Sequence, residues 1–393
     1  MKLRRSFSEL LTIARSYKAI TLVFSPQIDS VVSASLLLRL LKDEDVDVQL
    51  APFYEATKPI DTRSPILLLD VFQRSVVSGY KVLHLDDFVG RDPRSSLSLS
   101  LYVLKSLKDI WIVPQELEVL VLAALLSRTQ GSIYDEKLLQ IHEQLLREAV
   151  SRGVYEIVDT LRLFGYPHAS LSEALERTLE PYLRGISLNR DGVIEFLKKL
   201  GLYENILRSE DRERLVNELE AVVVDYARSR VDLYGSKIVL KSTTLIDDVY
   251  ELVYILYTAI DSGDVEKLLI IGIEPQLLDV FKVRYVMFKP DIRRIVESIL
   301  TGEVHPKRIV LRGVYVSLIE LDTDLKRVPL FTIYRILRGL GIVENFTIFR
   351  NSEGYVLPLQ MIEPRWPLDI EFNIVGGVAL FKSIEEVTKV VSC

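Results

Sequence analysis

The chain has 393 residues, a formal net charge of −6, and a composition that is 49% hydrophobic and 26% charged. A chain of this length has room for two or three domains, each with its own core. Its balance excludes an intrinsically disordered or low-complexity protein, and one that coats its whole surface with positive charge for nucleic acid.

The single cysteine, Cys393, excludes an internal disulfide. The start "MKLRRSFSELL" lacks an apolar h-region followed by a cleavage site, and no apolar run approaches the roughly 18–20 residues of a membrane span. The expectation is a cytoplasmic protein. Only three Met, one Cys and four His accompany abundant Leu, Val and Ile, a balance that suits a thermophile.

In chain order, "AITLVF" (19–24), "VDVQLAPF" (46–53), "PILLLDVF" (65–72) and "KVLHLDDF" (81–88) read as strands. They are near-continuous apolar runs rather than alternations, the pattern of parallel strands covered on both faces. A polar loop after the first leads into a helix predicted over 31–41. Between 115 and 231 the apolar spacing turns helical, with breaks at Gly165-Tyr166-Pro167 and at Pro181 and Gly185. From "SKIVLKS" (236) onward strands and helices alternate again, with "KLLIIGI" (267–273) read as a strand, "DIRRIVESILTG" (291–302) as a helix, "KRIVLRGVYVSLIEL" (307–321) as strand and "LFTIYRILRGLGI" (330–342) as helix. A hairpin turning at "NSEG" (351–354) and the segment "DIEFNIVGGVALFKS" (369–383) follow. The fold class is α/β: a doubly wound parallel-sheet domain over 1–115, a helical connector completing it over 116–235, and a smaller C-terminal α/β domain over 236–393.

Ligands of open parallel sheets collect outside the carboxyl ends of the strands. Asp29, Asp70 and the pair Asp86 and Asp87 lie at or just beyond such ends on three strands. Converging carboxylates suit a pair of hard divalent cations. The same residue type at a strand end also caps helices and stabilises turns, and Asp29 and Ser30 directly precede the predicted helix, where either fits as its N-cap. Both readings stand at this point. His84 lies within an apolar run and reads as a core histidine, while His142 and His168 are isolated. The basic clusters at 291–296, 305–312 and 324–328 are interspersed with acidic residues and read as solvated faces.

The order of these motifs resembles the DHH phosphoesterase superfamily, and the whole chain resembles its RecJ-like branch. In "SPQIDS" Ser25 and Gln27 take the places of the His and first Asp of the family's opening motif, and only Asp29 matches. "LLLDV" supplies Asp70 for the second motif. The name-giving D-H-H is "DDF" here, with Asp86 kept and Asp87 and Phe88 in place of the histidines; the fourth motif falls in "LAALLSRTQGS" (122–132), which has no acidic residue. "LEPYLRGISLNRDGVIEFLKKLGL" (179–202) is similar to the connector of archaeal RecJ-like proteins, and "FNIVGGVALF" (372–381) looks like the G-G-H motif of the accessory substrate-binding domain, with Gly376 and Gly377 retained and Val378 for the His.

The resemblance implies a fold kept while its metal ligands are lost, and so a protein with no catalytic residues, metal or cofactor, in which Asp29, Asp70, Asp86, Asp87, Gly376 and Gly377 are vestigial. It further implies an archaeal replication factor of the Cdc forty-five type that binds the GINS complex and helps assemble or stimulate the MCM helicase, with single-stranded DNA between the two α/β domains as a further partner. Two alternatives remain open: a manganese-dependent, single-strand-specific 5′–3′ DNA exonuclease using the four carboxylates, and a stand-alone single-stranded DNA-binding protein.

Overall fold

The computed structural model describes residues 6–55, 64–73, 80–92, 97–202, 209–228, 232–241, 246–366 and 373–390. Cys393 and the start of the 369–383 segment lie outside the described residues. The N-terminal part runs α1 (Phe7–Tyr17), β1 (Ala19–Phe24), α2 (Ile28–Asp43), β2 (Asp47–Pro52), β3 (Ile66–Leu69), β4 (Phe72–Gln73), β5 (Val82–His84), α3 (Leu85–Val89), α4 (Leu99–Lys108), α5 (Gln115–Leu126) and α6 (Glu136–Ala149). β6 (Tyr155–Leu161), α7 (Leu171–Arg177), α8 (Arg190–Leu200), α9 (Ser209–Val224) and β7 (Tyr234–Leu240) come next, then α10 (Val249–Asp261), α11 (Val265–Ile270) and α12 (Leu277–Leu300). The C-terminal part holds β8 (Lys307–Leu311), β9 (Val314–Glu320), α13 (Leu330–Gly339), β10 (Thr347–Asn351), β11 (Gly354–Pro358), β12 (Arg365–Trp366), β13 (Asn373–Val375), β14 (Val378–Phe381) and α14 (Ile384–Val390).

The apolar runs near the N-terminus form a four-stranded sheet in the order β2-β1-β3-β5, all parallel. Every residue of β3 is buried, as expected of a central strand with both faces covered. The C-terminal sheet has six strands in the order β13-β14-β11-β10-β9-β8, with β9 and β10 parallel and the other neighbours antiparallel. The fold is therefore α/β, a parallel sheet with many helices joined to a C-terminal α/β unit. Val23, Ile66 and Leu68 of the first sheet share an apolar cluster with Val316, Leu318, Ile348 and Leu357 of the second. The ribbon of β4 with β12 adds backbone hydrogen bonding between the two parts of the chain.

Several expectations need correction. "KLLIIGI" is helical as far as Ile270, not a strand: so short an apolar run carries no period that separates a buried helix from a buried strand. The helix expected over 31–41 begins at Ile28, which places Asp29 inside its first turn. The strand 81–88 ends at His84, and "DDF" lies on α3. β6 breaks the helical stretch 115–231 and pairs antiparallel with β7. The helix read over 291–302 begins at Leu277 and carries Pro290 within it. The hairpin at 351–354 is present as β10–β11. No helix among the described residues is long and apolar enough to cross a membrane.

α10 is buried along its whole length, Val249 to Asp261, and packs against α5, α12 and α13. Its far end meets both α13 and the turn that carries Gly376 and Gly377, so this one helix sets the C-terminal elements against the N-terminal part.

Candidate functional site

Asp29, Asp70 and Asp86 do converge at the carboxyl end of the parallel sheet, but what holds them together is arginine. Arg91, whose side chain is 1% exposed, donates from Nη2 to Asp70 and from Nε to Asp86, and its Nη1 donates to the Leu97 carbonyl at 2.8 Å. Arg128 Nη1 lies 3.0 Å from Asp29 Oδ2 and 3.5 Å from Asp70 Oδ2. Two guanidinium charges thus sit among three carboxylates. Arg128 lies just beyond α5, in the segment where the fourth family motif would place an aspartate. Asp87 is half-buried beside Asp86 on α3, and Phe88 is a core residue, 3% exposed.

Asp29 caps a helix, although not its own. Gln27 is the N-cap of α2 and makes no side-chain bond there. The Asp29 carboxylate instead accepts from Leu99 N at 2.7 Å, Ser100 N at 3.0 Å, Ser98 Oγ at 2.7 Å and Ser100 Oγ, closing the N-terminus of α4. Burial pushes its pKa up, but the Arg128 charge and the two serine hydroxyls more than offset this and hold it below the usual range. His142 completes the same cap: Ser98 N donates to its Nε2 at 2.9 Å, and its Nδ1 donates to the Leu138 carbonyl at 2.8 Å. Both ring nitrogens are engaged as in a neutral imidazole, and burial lowers the His142 pKa accordingly. Asp70 is pushed up by burial, with the Arg91 charge opposing, and its backbone adopts a positive φ of 48° where β3 ends. His84 Nε2 meets Gln73 Oε1 at 3.2 Å, and His168 Nε2 meets the Leu240 carbonyl at 2.8 Å.

The residues in the remaining motif positions serve the loop itself. Ser25 N donates to Ser30 Oγ at 3.1 Å, and that hydroxyl donates to the Leu69 carbonyl at 2.9 Å, tying the loop after β1 to the end of β3. Gly376 (φ +60°) and Gly377 form the turn between β13 and β14. Gly377 N donates to the Asp261 carbonyl at 3.0 Å, and a Cβ at Gly377 would lie 2.3 Å from the Ile260 carbonyl oxygen. The double glycine therefore lets the hairpin lie against the end of α10, and Val378 is in the core, 1% exposed.

A cleft of about 400 Å³ faces the cluster, with Asp29 and Arg128 on one wall and Phe331, Tyr334 and Arg335 on the other. Arg335 is buried and donates to Thr129 O (2.9 Å), Thr129 Oγ1 (3.1 Å) and Gly131 O (3.1 Å), which clamps α13 to the loop after α5. Glu180, from the connector stretch 179–202, accepts from Ile133 N and from Tyr254 Oη, both at 2.6 Å.

A two-metal phosphoesterase centre does not fit this donor set. Its carboxylates would have to face open ions, whereas those of Asp29, Asp70 and Asp86 are turned to guanidinium groups and backbone N–H donors. No three His, Cys, Asp or Glu side chains are grouped as a metal would require among the described residues. Sequence reasoning missed Arg91 and Arg128. The signal available was an arginine in the expected place of an acidic ligand.

No family model matches the chain, and no curated protein sequence matches it. Among solved structures it is similar to CDC45 from Entamoeba histolytica, at a TM-score of 0.55 and 9% identity over 89% of this chain and 86% of that one. It also aligns with exonuclease RecJ bound to manganese (TM-score 0.42, 10% identity, 97% of this chain and 90% of that one). With RecJ in complex with Mn2+ from Thermus thermophilus the TM-score is 0.41 at 11% identity, over 97% of this chain and 52% of that one. The two RecJ alignments are too loose to carry an argument; the likeness to CDC45 shows the fold and, at such low identity, the fold alone.

Proposed function

We propose that this chain, which has the fold of CDC45 and holds its would-be metal carboxylates with arginines, is a non-catalytic RecJ-like DNA replication factor. In this reading it is cytoplasmic and archaeal, binds GINS, and helps assemble or stimulate the MCM helicase. The observation that carries the proposal is the pairing of Arg91 with Asp70 and Asp86 and of Arg128 with Asp29. Fixed cations among carboxylates that a nuclease would keep for metal are what a scaffold derived from an enzyme retains once catalysis is lost. The sparse Met, Cys and His support a thermophilic source.

The exonuclease alternative requires both guanidinium groups to leave before ions enter, which exposes three buried carboxylates to one another. Single-stranded DNA has a place in the proposal as a ligand of the cleft, where Phe331 and Tyr334 line one wall. The test is size-exclusion chromatography of the full chain with purified GINS, and then with MCM, from the same organism. Co-elution at micromolar concentration and a faster helicase are expected; separate elution at that concentration would remove the partner claim. Metal-dependent digestion of 5′-labelled single strands by the wild type, lost in Asp70→Ala, would replace it with the exonuclease.

A further inference from the structure

Arg128 belongs to the N-terminal part of the chain, but its backbone is held from the C-terminal part. Carbonyls at and beyond a helix end lack intrahelical donors and need others. The carbonyl of Ser127, just before Arg128, accepts from Tyr257 Oη of α10 at 3.0 Å, across 130 residues of sequence. That of Thr129, just after it, accepts from Arg335 Nη1 of α13 at 2.9 Å, across 206 residues. Arg335 Nη2 adds Thr129 Oγ1 and the Gly131 carbonyl, both at 3.1 Å. A planar guanidinium that serves three acceptors in one loop fixes the loop's orientation as well as its distance.

α13 is itself seated at both ends. Asp261 of α10 accepts from Phe331 N and Thr332 N at its start, each at 3.0 Å. At its other end Gly339 lies against the buried Glu180, where a Cβ would come 2.8 Å from Glu180 Oε1. Glu180 in turn accepts from Ile133 N, farther along the Arg128 loop. On the N-terminal side, Arg128 Nη1 lies 3.0 Å from Asp29 Oδ2, and Asp29 accepts from Leu99 N and Ser100 N. A continuous path of hydrogen bonds and one short peptide segment therefore joins Arg335 on α13 to the first turn of α4.

We propose that Arg335 is a positioning residue for Arg128: by fixing the loop after α5, the C-terminal part of the chain sets the Arg128–Asp29 pair and, through Asp29, the start of α4. The side chain of Arg128 is 20% exposed and that of Asp29 is 1% exposed. When the loop shifts, the arginine passes readily into water, whereas the carboxylate stays buried and loses a cation that holds it charged. The carboxylate cluster is then a joint product of both parts of the chain and not of the parallel sheet alone. Phe331 and Tyr334 of the same helix line the cleft, so a molecule that displaces α13 from there is felt at α4, and a change at α4 is felt in the cleft to the same degree. This coupling does not depend on the GINS reading.

The experiment is hydrogen–deuterium exchange of the full chain, read residue by residue by mass spectrometry with fragmentation. Arg335→Lys keeps the charge near Glu180 but gives up the fork, so the chain stays folded where Arg335→Met would strand a buried carboxylate. The amides of Leu99 and Ser100 are expected to exchange about fivefold faster or more in Arg335→Lys, while those of β3, at the centre of the sheet, keep their rates. Arg128→Met alone speeds the same two amides, and adding Arg335→Lys to it speeds them no further. Gly339→Ala, which presses α13 away from Glu180 without touching Arg335, acts in the same direction. If Arg335→Lys leaves Leu99 and Ser100 at their wild-type rates, or if its effect multiplies with that of Arg128→Met, Arg335 only seats α13 and the proposal falls. Acceleration that extends equally to β3 reports general loosening of the fold, and would overturn it as well.

Discussion

Replacing Arg91 by Met removes one of the two cations from the carboxylate cluster while keeping most of its volume. Arg91 holds two carboxylates whose side chains are only 14% and 8% exposed, and its own is 1% exposed. Arg128, 3.5 Å from Asp70, is too distant to take over as a hydrogen-bond donor. Taking one partner out of a buried ion pair costs about 3–5 kcal/mol, against a total stability of roughly 5–15 kcal/mol for a folded protein. Urea unfolding followed by tryptophan fluorescence and circular dichroism at pH 7 reads this loss as a lower midpoint at unchanged slope. The pH dependence adds a second arm. Burial already raises the Asp70 pKa with Arg91 present, and without that opposing charge the folded value rises further above the unfolded one. The variant is then penalised for its charged carboxylate at pH 7, by about 1.4 kcal/mol for every tenfold by which the folded state weakens the acid. That penalty fades as the pH falls toward the unfolded carboxylate value near 4. Arg91→Lys, which keeps the charge but cannot bridge two acids with a planar fork, should fall between wild type and Met. A loss below about 0.5 kcal/mol at pH 7, or one that does not shrink at pH 5, would refute the claim that arginine holds this cluster together.

Other outcomes come from the same structure. Asp29→Asn leaves one oxygen to accept and turns an amide nitrogen toward the backbone N–H of either Leu99 or Ser100, and is expected to cost about 1–3 kcal/mol in urea unfolding, with local loss of amide protection at the start of α4. Gly377→Ala pushes a methyl to 2.3 Å from the Ile260 carbonyl oxygen and should destabilise by at least about 1–3 kcal/mol, whereas Ala at the open Gly153 should cost much less. Asp261, which accepts from Phe331 N and from Thr332 N and Oγ1, has its pKa raised to about 7 by burial despite these bonds. Its folded value lies above the unfolded one, so its contribution is full below about pH 4 and is lost as the pH rises to about 7. Wild type should therefore lose stability across that window relative to Asp261→Asn, as read from paired unfolding curves. Millimolar manganese should leave the melting temperature of the wild type unchanged, whereas a site filled to a hundred times its dissociation constant would add about 2.7 kcal/mol.

Much of the N-terminal architecture was legible because β1, β3 and β5 are short apolar runs and their carboxyl ends are where the acidic residues fall. The convergence of Asp29, Asp70 and Asp86 followed from that topology. The cations were not legible, since Arg128 lies 99 residues from Asp29 and Arg91 lies 21 from Asp70, and a pattern read along the chain does not measure distance through space. The capping reading of Asp29 was right in kind and wrong in target: its helix begins 70 residues later. β6 escaped notice because Tyr155–Leu161 lies in a two-stranded ribbon and buries little apart from Leu161, so its residues carry no strong alternation. The facing of α12 was hidden for another reason: its first half interleaves apolar residues with Asp279, Lys282 and Arg284, and only the packing of Phe281 and Tyr285 reveals which side is buried.

An arginine supplies its positive charge in fixed stoichiometry with the polypeptide, and it is in place as soon as the chain has folded. Asp29, Asp70 and Asp86 are therefore held in their arrangement by charges that the chain itself supplies. Whatever surface this end of the sheet presents to other molecules is thereby shaped by the folding of the chain alone.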